Sequence, residues 1–385
     1  MGLQHWLQLA LTDGIGPVLQ MRLIEACGGD VAAACTANAT TLRNVDGIGS
    51  SKSSKIAESL KRSADQVQAE LAKARDAGVL LTCIEDESYP ALLREIPDPP
   101  AVLYVRGKFE PRDLNAVAIV GSRKCSFYGR EQAERFGALL AGAAITVISG
   151  GARGIDSAAH RGALSHERGR TIAVLGSGVD VAYPPENAAL FDQIAQRGAV
   201  VSEYPLGTPP IAENFPRRNR IVSGMTRGVL VIEADERSGA LITARQACDD
   251  HGRPVFAIPG RVDNKLSIGP HQLIRDGATL VTGLEDILEG LGPLPHSAVV
   301  ETNLFSISSA AEVAASATPQ AADRAEPIGL SDRQRAILLH LDEPLDVDAI
   351  IERTTLPAHQ VLQELTFLSL RGLVRREGQH YARRS

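Results

Sequence analysis

The chain has 385 residues, a formal net charge of −6, 44% hydrophobic and 22% charged residues, and a mean hydropathy of −0.04. At roughly 150 residues per domain this length predicts two or three globular domains. The charge excludes a protein that coats duplex DNA through its overall field. A local basic face stays compatible with it, because phosphates respond to charge within ~8–10 Å. No run reaches the ~18 uncharged apolar residues of a membrane helix, so a soluble, cytoplasmic protein with no membrane partner is expected. Met1-Gly2-Leu3-Gln4-His5-Trp6 lacks a basic n-region, and no signal peptide is expected. Cys27, Cys35, Cys83, Cys125 and Cys248 form no CxxC pair and no zinc-spaced set with histidine. They read as reduced thiols, and no metal is predicted.

Residues 1–70 read as a helical domain of helix-hairpin-helix or SAM-like type, built around Gly14-Ile15-Gly16 and Gly47-Ile48-Gly49. Glycine permits the tight turn, and free N–H groups at a helix start can accept a phosphate. Lys52 and Lys55 follow the second hairpin, which makes Gly47, Gly49, Lys52 and Lys55 an auxiliary DNA-contact candidate. The first copy has no lysine nearby, and a purely structural turn fits both copies as well.

Residues 71–290 alternate short apolar runs with amphipathic stretches. Strands are predicted at Ala116–Val120, Ile145–Ser149, Thr171–Leu175, Ala199–Ser202, Val229–Glu233 and Pro254–Ile258. Helical patterns such as Gly129–Ala141 and Ser238–Asp250 separate them. This is the signature of a Rossmann-like α/β core, a parallel sheet with helices on both faces.

Ligands of such sheets bind outside the carboxyl ends of the strands. Here those ends carry Gly121-Ser122-Arg123-Lys124, Gly150-Gly151-Ala152-Arg153-Gly154-Ile155-Asp156, Gly176-Ser177-Gly178, Phe215-Pro216-Arg217-Arg218-Asn219-Arg220 and Arg237-Ser238-Gly239. Glycine backbones and arginines make an anion site, with phosphate the natural ligand. No GxGxxG follows the first strand and no GxxxxGK[ST] occurs, so neither NAD nor P-loop ATP is predicted, and no cofactor is expected. Asp156 and His160 stand at i and i+4; they read as a helix-start acid and a helix-face histidine rather than an acid–base pair. Phe127, Tyr128, Tyr183, Tyr204 and Phe215 fall in loops at the same sheet edge. Aromatics among arginines suit a single strand with splayed bases.

Residues 291–327 are rich in Ala, Ser and Pro and read as a flexible linker. Residues 328–385 predict three helices and a β-hairpin, a winged helix, with Pro357 at the first position of the third helix. That helix, Ala358–Leu370, carries His359, Gln360, Gln363 and Glu364 but no Arg or Lys. A protein-contact or auxiliary role is therefore expected.

Gly121-Ser122-Arg123, the run from Ser149 to His160, Phe215-Pro216-Arg217-Arg218-Asn219-Arg220-Ile221 and Ser238-Gly239-Ala240-Leu241-Ile242-Thr243-Ala244 resemble the DNA-processing protein A (DprA, or Smf) family. The resemblance spans nearly the whole chain. It implies a protein without an enzymatic reaction that binds single-stranded DNA entering the cell during natural transformation. Such a protein protects the strand, loads the RecA recombinase onto it, and acts as a homodimer through the Rossmann core. The expected DNA-binding residues are Gly121, Ser122, Arg123, Lys124, Gly150, Gly151, Arg153, Gly154, Asp156, Tyr183, Phe215, Arg217, Arg218, Asn219, Arg220, Ser238 and Gly239. One departure stands out. Where several family members place a basic residue after Tyr-Pro, this chain has Pro185-Glu186 after Tyr183-Pro184.

The rival reading is an enzyme, a nucleoside-monophosphate phosphoribohydrolase of the lysine decarboxylase-like group, whose PGGxGTxxE motif supplies a glutamate. This chain has Glu233-Ala234-Asp235-Glu236-Arg237-Ser238-Gly239 at the comparable place.

Overall fold

Apolar side chains on both sides of each strand decide the layering. In Ala116–Val120, Val117 and Ile119 enter one apolar layer while Ala116, Ala118 and Val120 enter the opposite one. That is the two-residue period of a strand buried on both faces. The computed structural model describes residues 2–294, 332–341, 345–354, 356–370, 373–377 and 380–383. Most of the linker expected over 291–327 lies outside the described residues.

Nine strands form one sheet: β1 (Leu80–Cys83), β2 (Val102–Gly107), β3 (Ala116–Val120), β4 (Thr146–Ser149), β5 (Thr171–Val174), β6 (Ala199–Ser202), β7 (Gly228–Val231), β8 (Val255–Ala257) and β9 (Thr279–Leu280). Their order is β1-β2-β6-β5-β4-β3-β7-β8-β9. The strands from β3 to β9 pair in parallel, as a Rossmann-like core requires. β2 runs antiparallel to β6, and β1 antiparallel to β2. This antiparallel edge is an addition to the six strands expected from sequence. From β3 the chain steps outward through β4, β5 and β6. Helix Asn214–Gly224 then carries it back to β7, on the other side of β3. The topological switch point therefore lies between β3 and β7.

The helical segment comprises Gly2–Ala10, Pro17–Ala26, Val31–Cys35, Ala39–Arg43 and Ser50–Asp76. Its two hairpins are true repeats. Gly14 and Gly47 adopt φ of 87° and 92° respectively, within the left-handed region, and Ile15 and Ile48 are both buried. The repeats also brace each other reciprocally, Arg62 to Asp13 at 2.6 Å and Arg22 to Asp46 at 2.9 Å. These exposed pairs are worth ~0–1 kcal/mol each. Residue 70, the expected domain end, falls inside the helix Ser50–Asp76. The buried Glu70 accepts the Leu206 N–H at 3.0 Å, and Trp6 and Leu7 share a core with Phe191 and Val200. The helical segment and the sheet are parts of one compact unit, and the C-terminal segment is a second.

In that second unit, helices Asp332–Leu338, Val347–Thr354 and Ala358–Leu370 surround Ile337, Ile350, Val361 and Leu365. A three-stranded sheet, β10 (Leu345–Asp346), β12 (His380–Arg383) and β11 (Val374–Glu377), completes a winged helix. Pro357 sits one place earlier than expected: its carbonyl accepts the Gln360 and Val361 N–H groups, capping the helix that starts at Ala358. Glu364 is engaged internally, accepting from Gln334 at 2.7 Å.

Helices Phe127–Gly142 and Ile155–Ser165 pack against the same sheet face, with backbones in contact. A Cβ at Gly162 would overlap the Glu134 carbonyl oxygen, and one at Gly137 the Ala159 carbonyl oxygen. Gly162→Ala is expected to destabilise the protein by ~1–3 kcal/mol through overpacking, against the ~1 kcal/mol that alanine gains in helix propensity. Urea unfolding reads this, and a midpoint equal to or above wild type would contradict the packing argument.

Candidate nucleic-acid interface

Three strand ends interlock at the switch point. After β3, the Ser122 N–H donates to the Glu233 carbonyl beyond β7 at 2.7 Å, and the Ser122 carbonyl accepts from Ile155 N–H at 3.3 Å. Gly154 has φ of 75°, and a side chain there would collide with the Ser122 and Arg123 carbonyls. Glycine is needed for both reasons. A cavity of about 830 Å³ opens between these loops. Of the expected site residues, Gly121, Ser122, Arg123, Lys124, Asp156, Tyr183, Phe215, Arg218, Asn219, Ser238 and Gly239 line it. Arg237 and Lys265 also line it, so five cations face two acids, Asp156 and Asp235.

Arg218 forms the floor. Helix Asn214–Gly224 presents it inward, only 4% exposed, against Gly150, where any side chain would overlap the guanidinium. Its Nε has no hydrogen-bond partner. Burial pulls its pKa down to about 10, with the nearby Asp156 carboxylate opposing. Burial in turn raises the Asp156 pKa, with Arg218 opposing. Asp156 accepts the Ala152 N–H at 3.2 Å. A buried cation with an unused donor has lost its water without full repayment.

Above the floor, the Arg123 guanidinium lies 5.1 Å from the centre of the Phe215 ring. Phe215 meets Tyr183 at 5.5 Å with the rings tilted by 44°. Arg123, Gly150, Arg153, Tyr183, Phe215 and Arg218 converge on a smaller cleft beside the cavity. Arg153 forms a two-point ion pair with Glu186, Nε to Oε1 and Nη2 to Oε2, the latter at 3.1 Å. The hydrogen bond from Arg153 holds the Glu186 carboxyl below the usual range. The acid after Tyr183-Pro184 thus covers a cation of the rim.

The structure places the remaining expected residues elsewhere. The Phe215–Arg220 run is helical rather than a loop. Within it Arg220 is 5% exposed and tied to Glu203 at 2.7 Å and Asp98 at 3.0 Å; it has no free face for a phosphate. Arg217 is exposed but lies outside the cavity lining. Gly151 is buried, its Cα facing the Phe191 ring. Tyr204 is part-buried with its hydroxyl enclosed, whereas Phe127 is 80% exposed at the start of its helix. Gly47, Gly49, Lys52 and Lys55 sit on the helical segment, not in the cavity lining. Glu233 is buried; its Oε2 accepts Ser126 N–H at 2.8 Å, and its Oε1 accepts Ser126 Oγ–H at 2.6 Å and Asn264 Nδ2–H at 3.4 Å. That carboxylate holds the start of helix Phe127–Gly142 in place. Lys265 escaped the sequence reading because it lies well beyond β8, and only its position past a strand end could have signalled it.

His160 is fully buried. Thr171 donates its hydroxyl to the Val147 carbonyl at 2.6 Å, so it accepts from His160 Nδ1–H at 2.7 Å, and Nε2 is left without a partner. Burial, then Arg218 and Arg161, lower its pKa to about 3. The unfolded chain takes up this proton near pH 6.5 and the fold refuses it. The stability contribution is therefore complete above that pH and is lost as pH falls toward 3. At about pH 4.5 the loss from this group is roughly 2–3 kcal/mol. His160→Gln should shrink the stability difference between about pH 7 and pH 4.5 by roughly that amount in urea titrations. An unchanged pH dependence would contradict it.

The family profile described as DNA recombination-mediator protein A matches residues 80–292, and the DprA winged helix domain profile matches residues 317–379. Protein Smf of Escherichia coli (strain K12) is 41% identical over 296 residues, 75% of this chain and 73% of that protein. Protein Smf of Synechocystis sp. is 34% identical over 402 residues, 99% of this chain and 98% of that protein. The X-ray structure of DNA processing protein A from Streptococcus pneumoniae is similar with a TM-score of 0.64 and 35% identity, covering 75% of this chain and 97% of that one. The chain belongs to the DNA recombination-mediator protein A family.

Proposed function

We propose that the protein binds single-stranded DNA in the switch-point cavity, without catalysing a reaction on it, and mediates its use in recombination. The observation that carries this reading is Arg218, buried beneath the cavity with an unpartnered Nε. A phosphate seated over Arg218, with Arg123 and Lys124 at the rim, offsets the buried guanidinium charge through charge-assisted contacts. Tyr183 and Phe215 then offer ring faces to bases, which favours a strand whose bases are not paired. Loading of RecA, protection of incoming DNA during natural transformation, homodimerisation through the Rossmann core and a cytoplasmic location complete the proposal. Their support is the family resemblance, not the cavity. Lys52 and Lys55 are proposed as auxiliary contacts. The phosphoribohydrolase alternative gains no support from Glu233, whose carboxylate is spent on Ser126.

Fluorescence anisotropy with a labelled oligothymidylate and a duplex of equal length tests the reading. Tighter binding of the single strand is expected, weakening with salt by ~0.7 logarithmic units per phosphate contact. Phe215→Ala should cost ~1–3 kcal/mol of affinity through lost stacking, and Arg123→Ala should lower the salt slope by about one contact. Equal affinity for duplex and single strand, unmoved by either substitution, would remove the cavity from the function.

Glu186 gives an independent handle. Glu186→Gln frees Arg153, so affinity should rise and the salt slope should steepen by ~0.7. A slope identical to wild type would mean that Arg153 faces no phosphate.

A further inference from the structure

Beside the cavity lies a second groove of about 300 Å³, between helices Phe127–Gly142 and Ile155–Ser165. Its lining includes Arg123, Lys124, Arg130, Arg153 and Arg161, with Glu186 as the acid. Glu186 is committed to Arg153. Arg130 and Arg161 are exposed and pair with no carboxylate among the described residues. The close backbone approach at Gly137 and Gly162 holds the two helices together, and so brings arginines from both into one groove. Unpaired like charges held together repel each other, so the arrangement favours a polyanion. Arg123 and Lys124 line both spaces, which makes the groove a continuation of the cavity. The exposed Phe127 stands three residues before Arg130, on the same side of its helix.

We infer that this groove carries the phosphodiester backbone of a bound single strand past the aromatic pocket, with Arg130 and Arg161 as its phosphate contacts. The inference rests on the function proposed above and adds the path of the strand to it. A strand long enough to leave the cavity meets these two arginines, and a short one does not.

Anisotropy with two oligothymidylates, one of about 4–6 nucleotides and one of about 20, separates the cases. In Arg130→Gln/Arg161→Gln the salt slope on the long oligonucleotide should fall by ~1.4, two contacts at ~0.7 each. Affinity for the short one should stay unchanged. The charge-conserving Arg130→Lys/Arg161→Lys pair should keep the wild-type slope, which ties any loss to charge rather than to helix packing. An unchanged slope on the long oligonucleotide overturns the inference, provided Arg123→Ala still weakens both. Equal losses on short and long oligonucleotides overturn it too, because the arginines would then act at the cavity or on the fold. If the wild type binds neither oligonucleotide, the cavity assignment itself fails and the strand path falls with it.

Discussion

A guanidinium held out of water at the centre of the sheet edge constrains everything around it. Arg218 is admitted only because Gly150 leaves room for it and Asp156 stands close enough to offset part of its charge. The Asp156 carboxylate is placed by the turn at Gly154, and that turn is locked by the Ser122 carbonyl. The Ser122 backbone is held in turn by Glu233. Each loop at the switch point is thus positioned by another. The crossover helix that returns the chain from β6 to β7 brings the cation to the place where they meet.

Overall charge gives no hint of this. The chain is acidic in total, yet cations outnumber acids around the cavity and again in the adjoining groove. Screening confines each field to its surroundings, so distant acidic residues leave these faces positive. Burial sharpens the contrast: Arg220 carries the same side chain as Arg218 two residues away, but Glu203 and Asp98 satisfy it. The presence of partners, not residue type, separates a satisfied structural arginine from one whose Nε is left without a partner.

Much of this was legible in the sequence. Ala116–Val120 and Ala199–Ser202 appear as strands with the expected ends, because every residue in them is buried and the apolar run stops abruptly. The glycine-rich segments Gly121–Lys124 and Gly150–Gly154 were legible as strand-end loops for the same reason. The antiparallel pair β1 and β2 was not, since periodicity reports burial and not direction. The Phe215–Arg220 run misled because adjacent arginines on a helix point about 100° apart. Arg217 faces solvent, Arg218 the sheet and Arg220 an acidic pair, and only the helical register separates them. Lys265 and Arg161 reach their places through tertiary packing that no local pattern records.

The shared core of the helical segment and the sheet has a consequence for avidity. Glu70 and Trp6 bind the paired hairpins to the Rossmann layers, so Lys52 and Lys55 stand at a set distance from the cavity rather than on a tether. A strand touching both places would meet the second as an intramolecular partner, with an effective concentration fixed by the protein's own geometry. Under the proposed function such an arrangement would act as a gauge: strands long enough to bridge the span would gain from both contacts, and shorter ones would be held by a single contact.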